Sequence, residues 1–358
     1  MMRSSLASVR VLAAATAIAA AVAAAACGGS APEAPAATTA GPVQINGAGA
    51  TFPYPIYSKW FDEYHKANPS VQINYQSIGS GGGIRQLTNE TVFFGATDGP
   101  MSDEQLKAAP GKVLHFPTVL GADVPIYNLD GVTDLKFTGA VLADIFLGKI
   151  TKWNDPAITK VNPGVTLPAT AITVVHRSDG SGTTYIWADY LAKVSPEWKS
   201  KAGVSTAINW PVGVGGKGNE GVAGLVRQTP GAIGYVELIF ATQNNIAYGA
   251  VQNAAGEFLK ATTASVTAAA ASSVATMPAD FRVSITNAPG AGAYPISSFT
   301  WLLLYESPKD KAQSKQMVEF VKWALTTGQQ FADGLGYAPL PAEVVRQELA
   351  ALATVQVQ

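Results

Sequence analysis

The stretch "AITVVHRSDGSGTTYIWADYLAKV", Ala171–Val194, decides the fold. Its opening, AITVVHR, is apolar and rich in β-branched residues, the composition of a strand. Its close, TTYIWADYLAKV, reads as a helix. Across their junction lie Arg177, Asp179, two serines, two glycines and two threonines. Strand, glycine turn and helix make up the repeating unit of α/β architecture. In such sheets ligands bind beyond the carboxyl ends of the strands. A cluster of hydroxyls beside one cation at that place serves either nucleophilic catalysis or anion capture.

The same alternation runs outward in both directions. "YPIYSKWFDEYHKA" carries Tyr57, Trp60, Phe61 and Tyr64 on one helical face. "VQINYQS" alternates Val71, Ile73 and Tyr75 as a strand does, and "GSGGGIRQLTNE" leads into another helix. "TVFFGATD" reads as a buried strand and "SDEQ" from Ser102 as a capping box. "VLHFPTVLGADVPIYNL" reads as extended chain, and "TGAVLADIFLGKI" as a helix stopped at Gly148. "GAIGYVELIFA" and "SSFTWLLLYE" read as strands, and Met317, Phe320, Val321 and Ala324 mark an amphipathic helix. The Ala-, Thr- and Ser-rich residues 261–278 read as a surface helix or loop. The pattern predicts an α/β fold with at least partly parallel sheets. Three of its strands end in polar turns, at Ser80, Asp98 and Arg177.

Composition narrows the chemistry. The 358 residues are long enough for two domains, and 14% are charged, with a formal net charge of −1. Nothing suggests a nucleic-acid surface. A single cysteine, Cys27, excludes a disulfide framework within the chain. His65, His115 and His176 lie far apart, without the ligand spacing of a zinc site. No cofactor or metal is expected.

Residues 1–26 read as an export signal, with Arg3 and Arg10 ahead of the apolar run Val11–Ala26. The run ends "AAAACGGS", which resembles the lipobox of bacterial lipoproteins, with Cys27 as the acylated residue. Ala24 departs from that pattern, which usually carries a larger apolar residue there. Residues 27–42 then form the lipidated cysteine and a small, Pro-rich tether.

Nucleophilic catalysis finds little support. Asp179 occupies a position that G-x-S-x-G around Ser181 reserves for glycine, and Ile78 does the same to Ser80. "GVGGKGNEG", Gly213–Gly221, contains G-x-G-x-x-G but follows no convincing strand, and Lys217 is followed by Gly218 where a P-loop needs Ser or Thr. It reads as a mobile loop. Anion capture fits better. Helix N-termini expose unpaired N–H groups and partial positive charge. Three glycine-rich turns enter helices: at Thr51 and Phe52, at Ser80, and at Ser181, Gly182 and Thr183. Arg177 adds a planar fork suited to an oxyanion, and Asp179 is placed to orient it. Asp98 would repel a bare anion. It makes sense if the ligand brings a proton, as phosphate does near neutral pH and sulfate does not. A strand-end turn remains the other reading of Asp98.

In this order these motifs resemble the phosphate-binding proteins of bacterial phosphate-specific ABC transporters. The resemblance rests on "GAGATFPYPIYSKW", "IGSGGGIRQL", "FGATDGPMSDEQL", "FPTVLG", "DIFLGKITKWND", "VVHRSDGSGTTYIWADYLAKV", "GGKGNEG", "PGAIGYVE" and "YPISSFTWLLL", from about Ile45 to the C-terminal region. It implies a two-lobed periplasmic binding-protein fold of type II, each lobe a central β-sheet flanked by helices, with a hinge between them. Lobe one would combine residues 43–122 and 295–358, and lobe two residues 123–294. Thr51, Phe52, Ser80 and Asp98 would bind phosphate from one side, with Asp98 as proton acceptor. Arg177, Ser181, Gly182 and Thr183 would bind from the other. The expected partners are inorganic phosphate, the permease and ATPase subunits of the transporter, and the membrane through Cys27. The chain itself is expected to be a monomer and not an enzyme. Other oxyanions (sulfate, molybdate, phosphonate) and a phosphatase-type activity are the alternatives. Gly81 departs from the family pattern, where serine is common, as do Phe93 and His176, the last in an often basic position that would lend slight pH sensitivity.

Overall fold

Periodic apolar residues set the first elements. Strand β1 (Val43–Gly49) leads to helix α1 (Tyr54–Ala67), in which Ile56, Tyr57, Trp60, Phe61 and Tyr64 are buried. Burying such side chains contributes roughly 1.5–3 kcal/mol each. His65 and Lys66 in its last turn complement the helix dipole. Strand β2 (Val71–Ser77) presents Tyr75, whose ring meets that of Tyr57 edge-on at 5.7 Å. Helix α2 (Ser80–Thr88) and strand β3 (Phe94–Thr97) follow, then helix α3 (Asp103–Ala108), opened by a Ser102–Gln105 capping box. This computed structural model describes residues 42–357. The export signal, Cys27 and nearly all of the tether lie outside the described residues.

Strand β4 (Val113–Tyr127) is, at 15 residues, the longest strand among the described residues and is almost wholly buried. After it come β5 (Lys136–Phe137), α4 (Gly139–Phe146) and α5 (Pro156–Val161). A Thr138 cap starts α4, and Gly148 follows its end at φ 74, as the sequence predicts. The decisive stretch forms β6 (Thr173–Arg177) and α6 (Gly182–Val194), with α7 (Pro196–Lys201) beyond. Next are β7 (Val214–Gly216), α8 (Gly218–Gln228), β8 (Ala232–Glu237) and α9 (Leu238–Gln243). The chain finishes with short strands β9 (Ala247–Tyr248), β10 (Ala250–Gln252) and β11 (Phe258–Leu259), helix α10 (Thr263–Val274), strand β12 (Ser297–Tyr305), and helices α11 (Lys311–Leu325) and α12 (Ala342–Leu352).

Two sequence readings are corrected and a third, the helix within residues 261–278, is refined. "GVGGKGNEG" is no mobile loop: Val214–Gly216 pairs with β6, and Gly218 starts α8. The glycine content that suggests mobility instead permits tight packing, since a Cβ on Gly216 would lie 2.7 Å from the Gly221 carbonyl carbon. "GAIGYVELIFA" is not one strand. The Glu237 carboxylate accepts from the Ile239 N–H and starts a helix there. Residues 263–274 are a helix that is only half on the surface, because Val266, Ala269 and Ala270 are buried.

The main sheet runs in the order β2-β1-β3-β12-β4-β8-β6-β7, with β9 beside β4. Pairs β1–β2, β1–β3, β6–β8 and β6–β7 are parallel, whereas β12 and β4 are antiparallel to their neighbours. The fold is two-lobed, and β4 runs through both halves of this sheet. It pairs with β12 over Val113–Ala122 and with β8 from Asp123 to Tyr127. The carboxyl ends of β1, β3 and β6 all lead to the region where the halves meet.

Candidate anion-binding cleft

The turn after β1 brings Thr51 and Phe52, both buried, to the junction. The Phe52 carbonyl accepts from the Tyr337 hydroxyl at 2.6 Å. The Thr51 hydroxyl accepts from the Asn219 side-chain amide at 2.8 Å and from the Asn219 N–H at 3.3 Å. The same amide donates to the Thr183 hydroxyl at 3.2 Å. Asn219 thus ties the turn after β1 to the start of α6.

Arg177 ends β6 and is buried, at 3% exposure. Its Nε and Nη2 donate to the two Asp179 oxygens at 2.9 and 2.6 Å, and Nη1 donates to the Thr183 hydroxyl at 3.2 Å. Three of the five guanidinium N–H groups are so occupied, and the fork is fixed. The Tyr235 hydroxyl steadies the strand end, accepting from the Arg177 N–H at 3.2 Å and sharing a hydrogen bond with the Thr184 hydroxyl. Burial pushes the Asp179 carboxyl up, but the Arg177 hydrogen bonds and charge, with the Gly218 N–H, outweigh it and leave it below its ordinary value.

Asp98 follows β3 and is 1% exposed. Its Oδ1 accepts from the Thr300 hydroxyl at 2.7 Å and its Oδ2 from the Ser80 hydroxyl at 3.4 Å. The β4–β12 register shifts between Thr300 and Trp301, leaving Thr118 as the extra residue where Thr300 reaches Asp98. Bulges of this kind re-aim side chains next to sites. Burial pushes the Asp98 carboxyl up to about 7, against the lowering influence of Thr300, the Arg177 charge and Ser80.

The two sides meet backbone to side chain. A Cβ built on Gly182 would lie 2.4 Å from both Asp98 Oδ2 and the Ser80 hydroxyl oxygen. The Gly81 N–H donates to the Gly180 carbonyl at 2.9 Å. Gly81, where the family pattern has serine, sits against that turn, its Cβ position 3.1 Å from the Gly180 Cα. The structure therefore draws Thr51, Phe52, Ser80 and Asp98 together with Arg177, Ser181, Gly182 and Thr183.

Of the three expected helix caps, only Ser181 caps through its side chain, accepting from the Thr184 N–H at 3.0 Å. Among the described residues neither Ser80 nor Ser181 is hydrogen-bonded to a histidine. His176 stacks on Trp210 at 4.7 Å, and burial lowers its pKa. No cluster of three His, Cys, Asp or Glu residues among the described residues is arranged to hold a metal ion. The sequence reading missed Asn219, Tyr235 and Thr300. Asn219 stood within "GGKGNEG", where the helix start was the overlooked signal. Tyr235 and Thr300 lie in strands, where nothing local separates a site residue from a core one.

Residues 31–327 match the PBP superfamily domain. The phosphate-binding protein PstS of Xylella fastidiosa is 50% identical over 316 residues, covering 87% of this chain and 86% of that one. The protein of the same name from Pasteurella multocida is 48% identical, covering 85% and 88%. Among solved structures, the phosphate-bound high-affinity periplasmic phosphate-binding protein PfluDING aligns with a TM-score of 0.69 at 22% identity, covering 87% of this chain and 93% of that one.

Proposed function

The chain belongs to the family of phosphate-binding proteins, and from that premise we propose that it captures inorganic phosphate outside the cytoplasmic membrane and delivers it to an ABC permease. The observation that carries the choice of ligand is the buried Asp98 carboxyl set opposite Arg177. An ionised Asp98 accepts the P–OH proton of phosphate, so the two oxygens share one proton. Sulfate brings no proton and would set two negative oxygens face to face. The remaining Arg177 N–H groups, the α6 N-terminus and the Thr51 and Thr183 hydroxyls supply donors, and the Ser80 hydroxyl joins them by turning from its long bond to Asp98. Because Asp179 already pairs with Arg177, the ligand's charge is spread over dipoles and hydroxyls.

The eight residues named from the sequence act as a clamp, Thr51, Phe52, Ser80 and Asp98 on lobe one and Arg177, Ser181, Gly182 and Thr183 on lobe two. Lobe one comprises residues 43–122 and 295–358, and lobe two residues 123–294. The change of β4 partners between Ala122 and Asp123 supports that division. Closure on phosphate makes the form that docks on the permease and ATPase assembly, and opening there releases the ligand. The protein works as a monomer and binds without catalysis, held at the membrane by a lipid on Cys27. A Cys27→Ser protein is expected to leave the membrane fraction.

Calorimetric titration tests the ligand. Phosphate should bind with measurable heat and sulfate with none, and Asp98→Asn should narrow that gap. Absence of phosphate binding to the ligand-stripped protein would end this reading.

A further inference from the structure

Two carboxyls near the cleft have no task in phosphate capture as described. Asp123 and Glu237 stand directly opposite each other in the antiparallel β4–β8 pair. Opposed residues of such a pair point to the same face. They sit where β4 leaves β12 and takes up β8. Both are fully buried. Neither Asp123 carboxyl oxygen has a hydrogen-bond partner among the described residues, and nor does Glu237 Oε1. The backbone around them is fully engaged. The Asp123 N–H donates to the Ile296 carbonyl at 2.9 Å, and its carbonyl accepts from the Tyr294 hydroxyl at 3.0 Å. The Glu237 N–H donates to Asn219, the residue that bridges Thr51 and Thr183.

The groups facing the pair come from several elements. Asp98 follows β3, Arg177 ends β6 and Tyr235 lies on β8. Tyr294 precedes β12, and Tyr337 precedes α12. Among the described residues Arg177 is the one cation acting on this group, and Asp179 holds it. Glu237 also abuts the other half of the molecule. A Cβ on Gly121 would touch the Phe52 ring at 2.5 Å and Glu237 Oε1 at 3.2 Å. An ionised carboxylate buried without a partner costs several kcal/mol, and the neutral acid far less. Burial accordingly raises both groups well above the ordinary carboxylate range. Parting Glu237 from Phe52 and Tyr337 would admit water and restore ordinary acidity.

We propose that closing the cleft takes up protons on the Asp123–Glu237 pair, so that phosphate capture and release are linked to proton binding where β4 crosses between the lobes. This rests on the phosphate reading above. The sign follows from linkage. The closed form binds more protons than the open one, so closure is favoured as pH falls and opposed as pH rises above the ordinary carboxylate range. Proton release on opening then accompanies phosphate release.

The test is calorimetric titration of the purified protein with phosphate, in buffers of differing ionisation enthalpy, which counts protons taken up per phosphate. The ligand's own ionisation and that of Asp98 are common to all variants. The Asp123→Asn, Glu237→Gln double variant should lower uptake by about one proton or more, because the pair titrates as a unit. Asp123→Asn alone, which leaves every backbone bond in place, should lower it in the same direction. Phosphate-loaded wild type at neutral pH should show the infrared band of a protonated buried carboxyl, diminished in Asp123→Asn. Because the buried, unpartnered Glu348 gives such a band as well, an unchanged proton count with phosphate binding intact, or a band undiminished in Asp123→Asn, overturns the inference and leaves the phosphate reading standing. No phosphate binding in wild type removes both.

Discussion

Ser80 and Ser181 each stand at the start of a helix that follows a parallel strand, yet their hydroxyls go to different partners. Ser181 accepts from the Thr184 N–H and so caps its own helix. Ser80 receives no such bond, since its helix is entered from Gly79 at φ 84. Its hydroxyl donates to the Asp98 carboxylate and accepts from the Asp98 N–H at 3.2 Å. The charges divide in the same way. Arg177 is locked by Asp179, so the Ser181 side presents a fixed positive fork. Asp98 holds only hydroxyls and has a titration range near neutrality, so the Ser80 side presents a group that responds to a proton. On the phosphate reading proposed above, one side would supply attraction to any oxyanion and the other would select among oxyanions.

Arg177→Ala should give the largest loss. It removes the fork and leaves the half-buried Asp179 with the Gly218 N–H as its remaining partner, at a stability cost of about 1–3 kcal/mol. Phosphate binding should vanish in calorimetry, and the melting temperature should fall sharply. A variant that retained binding would break the division of roles. Gly182→Ala should come next, because the added Cβ meets Asp98 and Ser80 across the cleft. Affinity should drop on the order of 100-fold, about 2.7 kcal/mol, with little change in melting temperature.

Asp98→Asn tests the selective side through pH. With its pKa raised on folding, the wild-type carboxyl binds more protons folded than unfolded between about pH 4 and 7. Ligand-free wild type should therefore lose stability as pH rises through that interval and level off above it. The substituted amide has no such titration, so the variant's unfolding free energy should lack that part of the slope. An identical slope in denaturant titrations would show that Asp98 does not titrate there. The serines provide the smallest and most direct contrast. Ser181→Ala should cost about 1 kcal/mol of stability through the lost cap. Ser80→Ala should leave stability nearly unchanged and weaken phosphate binding by up to about tenfold, a hydrogen bond's worth. Equal effects on both properties would erase the distinction between the two turns.

The strand–turn–helix units were legible because their apolar periodicity is local. So were Arg177 and Asp179, two residues apart at a strand end. Thr300 was not, because its role depends on a register shift against β4, a strand far away in sequence. Asn219 was hidden for another reason. Its glycine neighbours suggest freedom, while the fold uses them for close packing. Glu237 looked like one more residue in an apolar run, and only the structure reveals that it ends a strand and starts a helix. Pairing across the sheet, more than local propensity, set the limit of sequence reading.

The unbroken course of β4 also bears on how the chain acquires its shape. Its first part pairs with β12, which arrives only near the end of the sequence, while its last part pairs with the much nearer β8 and β9. Strand β3 waits for β12 as well. A chain emerging N-terminus first can assemble the sheet around β8, β6 and β7 early. The sheet holding β1 and β3 must wait with an open edge until β12 emerges. Such long-range closure is slow and leaves an unpaired strand exposed to aggregation meanwhile. Truncations behind Pro295 would leave that edge permanently uncovered, so the segment after Pro295 governs whether the sheet of β1, β2 and β3 is completed.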